Sequence, residues 1–232
     1  MLLKLAGLTV RIDARYPYLP LLCRDYTVPE GEPELTICAT EEDLLREGAA
    51  LPQASPGYLE SVAVYRKLCD ALALRGVVLL HAAVLVTDGR AYAFTAKSGT
   101  GKSTHLKLWM DMLGDRAFVL NGDKPLMRLG EDGQVWIYGS PWCGKEGWNR
   151  NTSAPLGALC FLERDTVNRI APLPPEEGVE RILPQLLRPS TPEGVLRTLS
   201  LADECLRRVP LFLLGCNISP EAAALSYAAM HG

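Results

Sequence analysis

Apolar residues in this chain fall in short runs separated by turn-forming clusters, and their period switches repeatedly between two and three to four. Residues 8–12 alternate as a half-buried strand, and residues 35–39 read as a second. The apolar start of the chain runs directly into the first of these. Prolines in residues 16–20 and 28–33 predict breaks in regular structure. Thr40 predicts the N-cap of a short helix, with Asp43 in the place of the usual capping-box Glu. Residues 52–57 read as a linker. Residues 58–75 carry a helical stripe of Leu59, Val62, Tyr65, Leu68, Ala71 and Leu72, which Gly76 terminates.

Further on, residues 77–86 predict one buried strand, with His81 inside it. Thr87-Asp88-Gly89-Arg90 predicts a hairpin turn into a strand at 91–95. A helical run starts near Thr104. Residues 117–120 form another buried run, ending in Asn121-Gly122-Asp123-Lys124-Pro125. A hairpin of 126–129 and 135–138 follows, then a loop at 139–145, a central strand at 158–162 and a polar reversal leading to 168–170. Residues 175–187, 192–208 and 220–230 predict helices, and 211–214 one more strand. Hairpins mixed with helices predict an α/β fold built on a mixed β-sheet. Residues 1–57 form a small α+β N-terminal portion and residues 58–232 the main domain. No internal repeat or low-complexity tract is evident.

The strand at 91–95 leads into Ala96-Lys97-Ser98-Gly99-Thr100-Gly101-Lys102-Ser103-Thr104. Strand, glycine-rich turn, Lys-Ser and helix together predict a phosphate-binding loop. Glycines allow several N–H groups to converge on a polyphosphate, and the helix adds its positive end. Ser98, Gly99, Thr100, Gly101, Lys102, Ser103 and Thr104 are therefore the candidate nucleotide-binding residues, with Lys102 reaching the outer phosphates. Ala96 stands where this pattern usually opens with Gly, and it can serve if its φ stays negative. Such a loop needs a carboxylate to help hold Mg²⁺. Asp123, at the end of the next buried strand, is placed for this beside the Ser103 hydroxyl.

The 232 residues are 48% hydrophobic and 22% charged, which is ordinary for a globular protein. A net charge of −3 with scattered basic residues argues against a nucleic-acid partner. No apolar run reaches bilayer length, and the start is too short for a signal peptide, so no membrane association and a cytoplasmic location are expected. The seven cysteines show no Cys-x-x-Cys pair, which disfavours zinc ribbons and disulfide frameworks.

Several residues outside the loop invite chemical roles. His81 is a core histidine or, through its hairpin with the loop-feeding strand, an active-site group. His105 reads as packing or solvent-facing. The segment 139–151 is too polar for core and too aromatic for a plain linker. In it, Lys145 and Arg150 are candidates to neutralise a transferring phosphoryl group, and Trp142 and Trp148 to wall an acceptor pocket. A thiol enzyme built on Cys143, with Lys145 nearby, is an outside alternative without an evident partner His.

The run Ser98-Gly99-Thr100-Gly101-Lys102-Ser103, preceded by the His81 hairpin and followed by a strand-end Asp123, resembles the catalytic domain of HPr kinase/phosphorylase. It is similar also to the nucleotide fold of ATP-type phosphoenolpyruvate carboxykinase. The resemblance covers residues 76–145. With Asn-Gly-Asp-Lys-Pro and the Gly-Ser-Pro-Trp loop included, it looks most like small stand-alone HPr-kinase-like proteins. It implies a mixed-sheet P-loop core, with ATP and Mg²⁺ as cofactors. Lys102 would bind phosphates, Ser103 and Asp123 would hold the metal, and His81, Asp123, Lys145 and Arg150 would form the catalytic set. The implied reaction moves the γ-phosphoryl group to a hydroxyl, most simply serine in a peptide, small protein or small molecule; homo-oligomerisation is left open. Such kinases carry two adjacent acids at the strand end, the first acting as base, and here the first position is Gly122. That departure supports an alternative, a nucleotide-binding regulator or peptide-recognition protein without turnover. Gly122→Asp suggests itself as a restoration. The phosphorolysis signature and the usual N-terminal domain are not evident.

Overall fold

The computed structural model describes residues 1–232. The N-terminal portion is a three-stranded sheet of β1 (Leu2–Leu5), β2 (Leu8–Asp13) and β3 (Leu35–Cys38), flanked by α1 (Tyr18–Leu22), α2 (Glu41–Ala50) and α3 (Pro56–Ala73). The apolar start is thus a strand. It turns back antiparallel onto β2 through Ala6 and Gly7, both at positive φ. The proline-bearing stretch at 16–20 does not exclude a helix, because Pro17 is the N-cap of the short α1. Thr40 and Asp43 form a reciprocal capping box on α2, as the sequence predicts. Ser55 caps α3, and Pro56 sits where a missing N–H costs nothing. The stripe of α3 packs on Leu3, Leu5, Val10 and Ile12, and also on Val77, Leu79 and Leu126 of the main sheet. Glu60 is fully buried on this helix, where its carboxylate accepts the backbone N–H groups of Arg15 at 2.6 Å and Tyr16 at 3.1 Å.

The main sheet comprises β4 (Val77–Leu79), β5 (Ala82–Thr87), β6 (Arg90–Thr95), β7 (Ala117–Asn121), β8 (Leu126–Leu129), β9 (Val135–Tyr138), β10 (Ser153–Arg164), β11 (Arg169–Pro172) and β12 (Leu211–Cys216). Their order is β4-β8-β9-β10-β6-β5-β7, with β12 paired to β10 and β11 to β12. The β6–β10 and β10–β12 pairs are parallel and the rest antiparallel, so the sheet is mixed.

The predicted strand at 77–86 is two strands, interrupted at Leu80 and His81. Both faces of this run are buried, so its apolar pattern conceals the break. The interruption is where the sheet curls. β4 with β8 ends one side of the strand order and β5 with β7 the other, although β4 leads into β5 and β7 into β8. The two ends meet where Leu80 N–H donates to Pro125 O and Ala82 N–H to Asp123 O, each at 3.1 Å. His81 N–H points away from this seam, to Gln185 O at 2.7 Å.

Leu80, Val84, Leu120, Ile137, Leu159 and Phe161 fill the inside of the curl, closed by α5 (Pro175–Ile182) and α6 (Pro192–Leu206). The predicted helix at 175–187 stops at Ile182. Pro184 supplies no N–H to continue it, and the chain then runs extended beside β4, with Leu187 N–H donating to Leu79 O at 3.0 Å. Outside the curl, α4 (Lys102–Leu113) and α7 (Pro220–His231) cover Leu85, Phe94, Cys160 and Leu214 with Leu106, Trp109, Ala223 and Met230. No helix is long and apolar enough to cross a membrane.

His105 packs within this outer layer. The Ser226 hydroxyl receives Trp109 Nε1–H at 2.8 Å and donates to Ala223 O, so His105 Nε2–H donates to it at 2.9 Å. Nδ1 is buried without a partner. Burial lowers the His105 pKa to about 4 from its ordinary 6.5. On acidification the unfolded chain takes up this proton first. The histidine's contribution is therefore complete above pH 6.5 and is lost as pH falls to about 4, amounting to roughly 3 kcal/mol. Urea unfolding at pH 7 and pH 4.5 should show a smaller stability loss in His105→Gln than in the wild type. Equal losses in the two proteins would remove His105 as the cause.

Candidate active site

β6 delivers the glycine-rich turn, in which Gly99 at φ 80° and Gly101 at φ 126° make the two reversals that a side chain would oppose. The following helix begins at Lys102, earlier than the predicted start at Thr104. Gly101 caps it with no side-chain hydrogen bond. Ala96 does not take positive φ, so the missing glycine is no obstacle. Its carbonyl accepts a hydrogen bond from Lys102 Nζ at 3.0 Å.

Lys102 is nearly buried, and its Nζ lies 2.9 Å from His81 Nε2. The same Nε2 lies 3.1 Å from Asp123 Oδ1, and Lys124 Nζ donates to Asp123 Oδ2 at 2.6 Å. His81 Nδ1 is 2.9 Å from Gln185 Oε1. An amide oxygen only accepts, so Nδ1 carries the proton and Nε2 turns a lone pair toward the Lys102 ammonium. Burial lowers the Lys102 pKa to about 8, with Asp123 opposing that effect and Lys124 adding to it. Burial alone would raise Asp123. The Lys124 ammonium, hydrogen-bonded to Oδ2, opposes this and holds the carboxyl below its ordinary 3.8.

A fully buried Asn121 fixes this arrangement. Its Oδ1 accepts the N–H groups of Asp123 at 2.9 Å and Lys124 at 2.7 Å, and its Nδ2 donates to Ser140 O at 2.9 Å. The turn that carries Asp123 is thereby pinned to the loop after β9.

One cavity of about 490 Å³ opens beside these groups. Of the residues singled out from the sequence, all of the loop from Ser98 to Thr104 except Thr100 lines it, with His81, Gly122, Asp123, Cys143 and Lys145. Thr100 lies on the opposite face of the loop, beside Lys97. Arg150 lies outside this cavity, with its guanidinium 4.5 Å above the Phe118 ring in a separate cleft that also holds Trp148. Backbone pairing explains this. Gly122 N–H donates to Trp148 O and Arg150 N–H to Leu120 O, so 148–150 runs as an added strand beside β7. Alternation then sends Trp148 and Arg150 to the same side. Trp142 packs against Tyr65 at 5.2 Å, in the core shared with α3. Neither tryptophan walls the Lys102 cavity.

Gly122 is enclosed by the same loop. A Cβ there would sit 2.9 Å from Cys143 O and 3.5 Å from Trp148, so an acid at 122 would displace backbone. Gly122→Asp is for this reason not a simple restoration. The loop brings a different acid, Glu146, to the cavity. Sequence reasoning also passed over Gln185, Lys124 and Arg164, whose guanidinium donates to the loop carbonyls of Gly99 and Thr100. Nothing local marks Gln185 or Arg164: the curl of the sheet brings the first to His81, and the parallel pairing of β10 with β6 brings the second to the loop.

No cluster of three or more His, Cys, Asp or Glu that could hold a metal ion is present. One ionised carboxylate with one hydroxyl suits Mg²⁺, which keeps waters and shares phosphate oxygens, and does not suit a metal held by protein alone. Asp123 and Ser103 both line this cavity.

No protein-family model matches the chain, and no curated protein matches it. Among solved structures it is similar to the Hpr(Ser) kinase/phosphatase from Coxiella burnetii, at 14% identity and a TM-score of 0.37, over 65% of this chain and 89% of that one.

Proposed function

We propose that the protein is an ATP- and Mg²⁺-dependent kinase that transfers the γ-phosphoryl group to a hydroxyl, serine in a peptide, small protein or small molecule being the simplest acceptor. The observation that carries this reading is the cluster of Lys102, His81 and Asp123 at the mouth of a glycine-rich turn, with His81 Nε2 2.9 Å from the Lys102 Nζ and 3.1 Å from Asp123 Oδ1, all lining one cavity. Loop amides and the free end of α4 cradle the phosphates. Lys102 leaves Ala96 O and His81 Nε2 for the outer phosphates. Ser103 and Asp123 are the ligands for Mg²⁺, which supplies charge neutralisation when bound. The acceptor oxygen bonds to the γ-phosphorus as the bond to the β–γ bridging oxygen breaks, releasing ADP. The hydroxyl proton passes to His81 Nε2, freed by the departure of Lys102. Lys145, almost wholly exposed on the loop above, can close over the phosphates.

A second reading, nucleotide binding without turnover, is favoured by the enclosure of Gly122, which leaves no room for an acid at that position. Incubation with γ-labelled ATP and cell extract separates the two. Label in a product supports the kinase, whereas a measurable affinity for AMP-PNP with no transfer supports the regulator.

Lys102→Ala removes one charge-assisted phosphate contact, so Mg·ATP affinity should fall by about tenfold to a hundredfold in calorimetry, with label transfer lost. Unchanged binding in that variant would refute the assignment.

The phosphates require the Lys102 ammonium, which in the free protein is lost as pH rises through about 8. The Kd for Mg·AMP-PNP should therefore be flat below that pH and rise by about tenfold between pH 7 and pH 9. Lys102→Arg stays charged throughout and should show a shallower rise. A wild-type Kd independent of pH over this range would contradict the role given to Lys102.

A further inference from the structure

The phosphate loop has two faces. Behind the face that lines the Lys102 cavity, Thr95, Ala96, Lys97 and Thr100 border a second cavity, also about 490 Å³. It lies at the carboxyl ends of β6 and β10, two parallel neighbours, where open α/β sheets place ligands. Phe161 gives it an apolar floor, and Glu163, Arg164 and Arg181 stand at its rim.

Its charge is unbalanced. Glu163 is paired with Arg181. Arg164 bonds only to carbonyl oxygens, and Lys97 has no ionic partner. Two positive charges therefore remain uncompensated in a chain whose net charge is −3. His81 lines the first cavity and Gln185 the second, and the two side chains are hydrogen-bonded to each other at 2.9 Å. Gln185 is buried, its Oε1 faces His81 Nδ1, and its Nε2 makes no hydrogen bond within the protein.

We infer that this second cavity is the acceptor subsite and that it takes an acceptor bearing an anionic group, a carboxylate or a phosphate, near its hydroxyl. The inference rests on the kinase reading and deepens it. Lys97, Arg164 and the Gln185 amide hold the anion. The apolar floor carries the rest of the molecule, and the hydroxyl is directed past Gln185 toward the phosphoryl group. Transfer then forms the new O–P bond and breaks the bond to ADP, with the proton going to His81 as above.

The test uses ¹⁵N-labelled full-length protein saturated with Mg·AMP-PNP, titrated at constant ionic strength with inorganic phosphate and, in parallel, with acetate. Saturable shifts of the Lys97, Glu163 and Arg164 amides and of the Gln185 side-chain amide support the inference, and the tighter anion identifies the preferred group. Lys97→Glu should weaken that binding at least tenfold. Arg181→Gln, which leaves Glu163 unpaired beside the anion, should weaken it about fivefold. Absence of saturable shifts at these positions would overturn the inference, as would anion competition confined to residues 98–103 or undiminished binding in Lys97→Glu. In each of those cases the nucleotide-binding part of the kinase reading stands, because AMP-PNP still binds, and γ-label transfer tests the rest. Failure of AMP-PNP to bind at all would overturn both.

Discussion

The structure depends on a short seam of backbone hydrogen bonds where the curled sheet meets itself. Ala82 N–H to Asp123 O and Leu80 N–H to Pro125 O join two strands that each bend at this point. A bend interrupts the regular ladder, and a buried peptide group without a partner costs free energy comparable to a lost hydrogen bond. The molecule satisfies these groups from three directions. Gln185 O takes the His81 amide, Asn121 takes the Asp123 and Lys124 amides, and Trp148 O takes the Gly122 amide. The elements that repair the bend are therefore the elements that bring Gln185, Asp123 and the 143–148 loop to His81. Closure of the sheet and assembly of the candidate site are one event.

The loop from Gly139 to Thr152 shows how tightly that event is packed. A Cβ at Gly139 would meet Arg150 O at 1.9 Å, and one at Gly122 would meet Cys143 O at 2.9 Å. Both glycines are positions where two backbones approach closely, and neither takes positive φ. Asn149 shares the approach, donating to Cys143 Sγ at 3.1 Å and accepting from the Tyr26 hydroxyl at 3.3 Å. The N-terminal portion thus touches the loop that covers the candidate site through Tyr26, and α3 touches it through Tyr65 against Trp142.

Features governed by local chemistry were legible in the sequence. The Thr40 capping box, the Asp88-Gly89 turn at positive φ and the strand–glycine–helix passage around Lys102 follow from residues close together in the chain. The mixed sheet was legible from hairpins among helices. The break at Leu80 was not, because a strand buried on both faces has no polar alternation to lose. The separation of Arg150 from Lys145 was not either. It arises from pairing of 148–150 with the edge of β7, a contact distant in sequence and formed by backbone alone. Gln185 was hidden for a related reason, since a glutamine after a prolyl helix end carries no local sign of a histidine partner more than a hundred residues away. Gly122 was noticed as a missing acid, and only the packing of Cys143 shows why a side chain has no room there.

The charges around the Lys102 cleft are predominantly positive at its inner end. Lys102 and Lys124 bring two positive charges to the single carboxylate of Asp123, and Lys124 sits closest to it. Lys102 is left with neutral partners, the His81 lone pair and the Ala96 carbonyl, in surroundings that lower its pKa. A buried ammonium whose nearby carboxylate is shared with a second lysine destabilises the free state relative to any state that supplies a further anion. On the proposed reading a polyphosphate would supply it, and part of the binding free energy would be relief of a cost already present in the folded chain. A kinase of the proposed kind would also need a proton acceptor once phosphates are bound. Asp123, held below its ordinary 3.8 beside Lys124, would be a weak base for a hydroxyl at neutral pH. On the same reading the imidazole next to it would lose its lysine partner as the phosphates bind. Gln185 would still hold the other ring nitrogen, leaving the lone pair that Lys102 vacates free to take the hydroxyl proton.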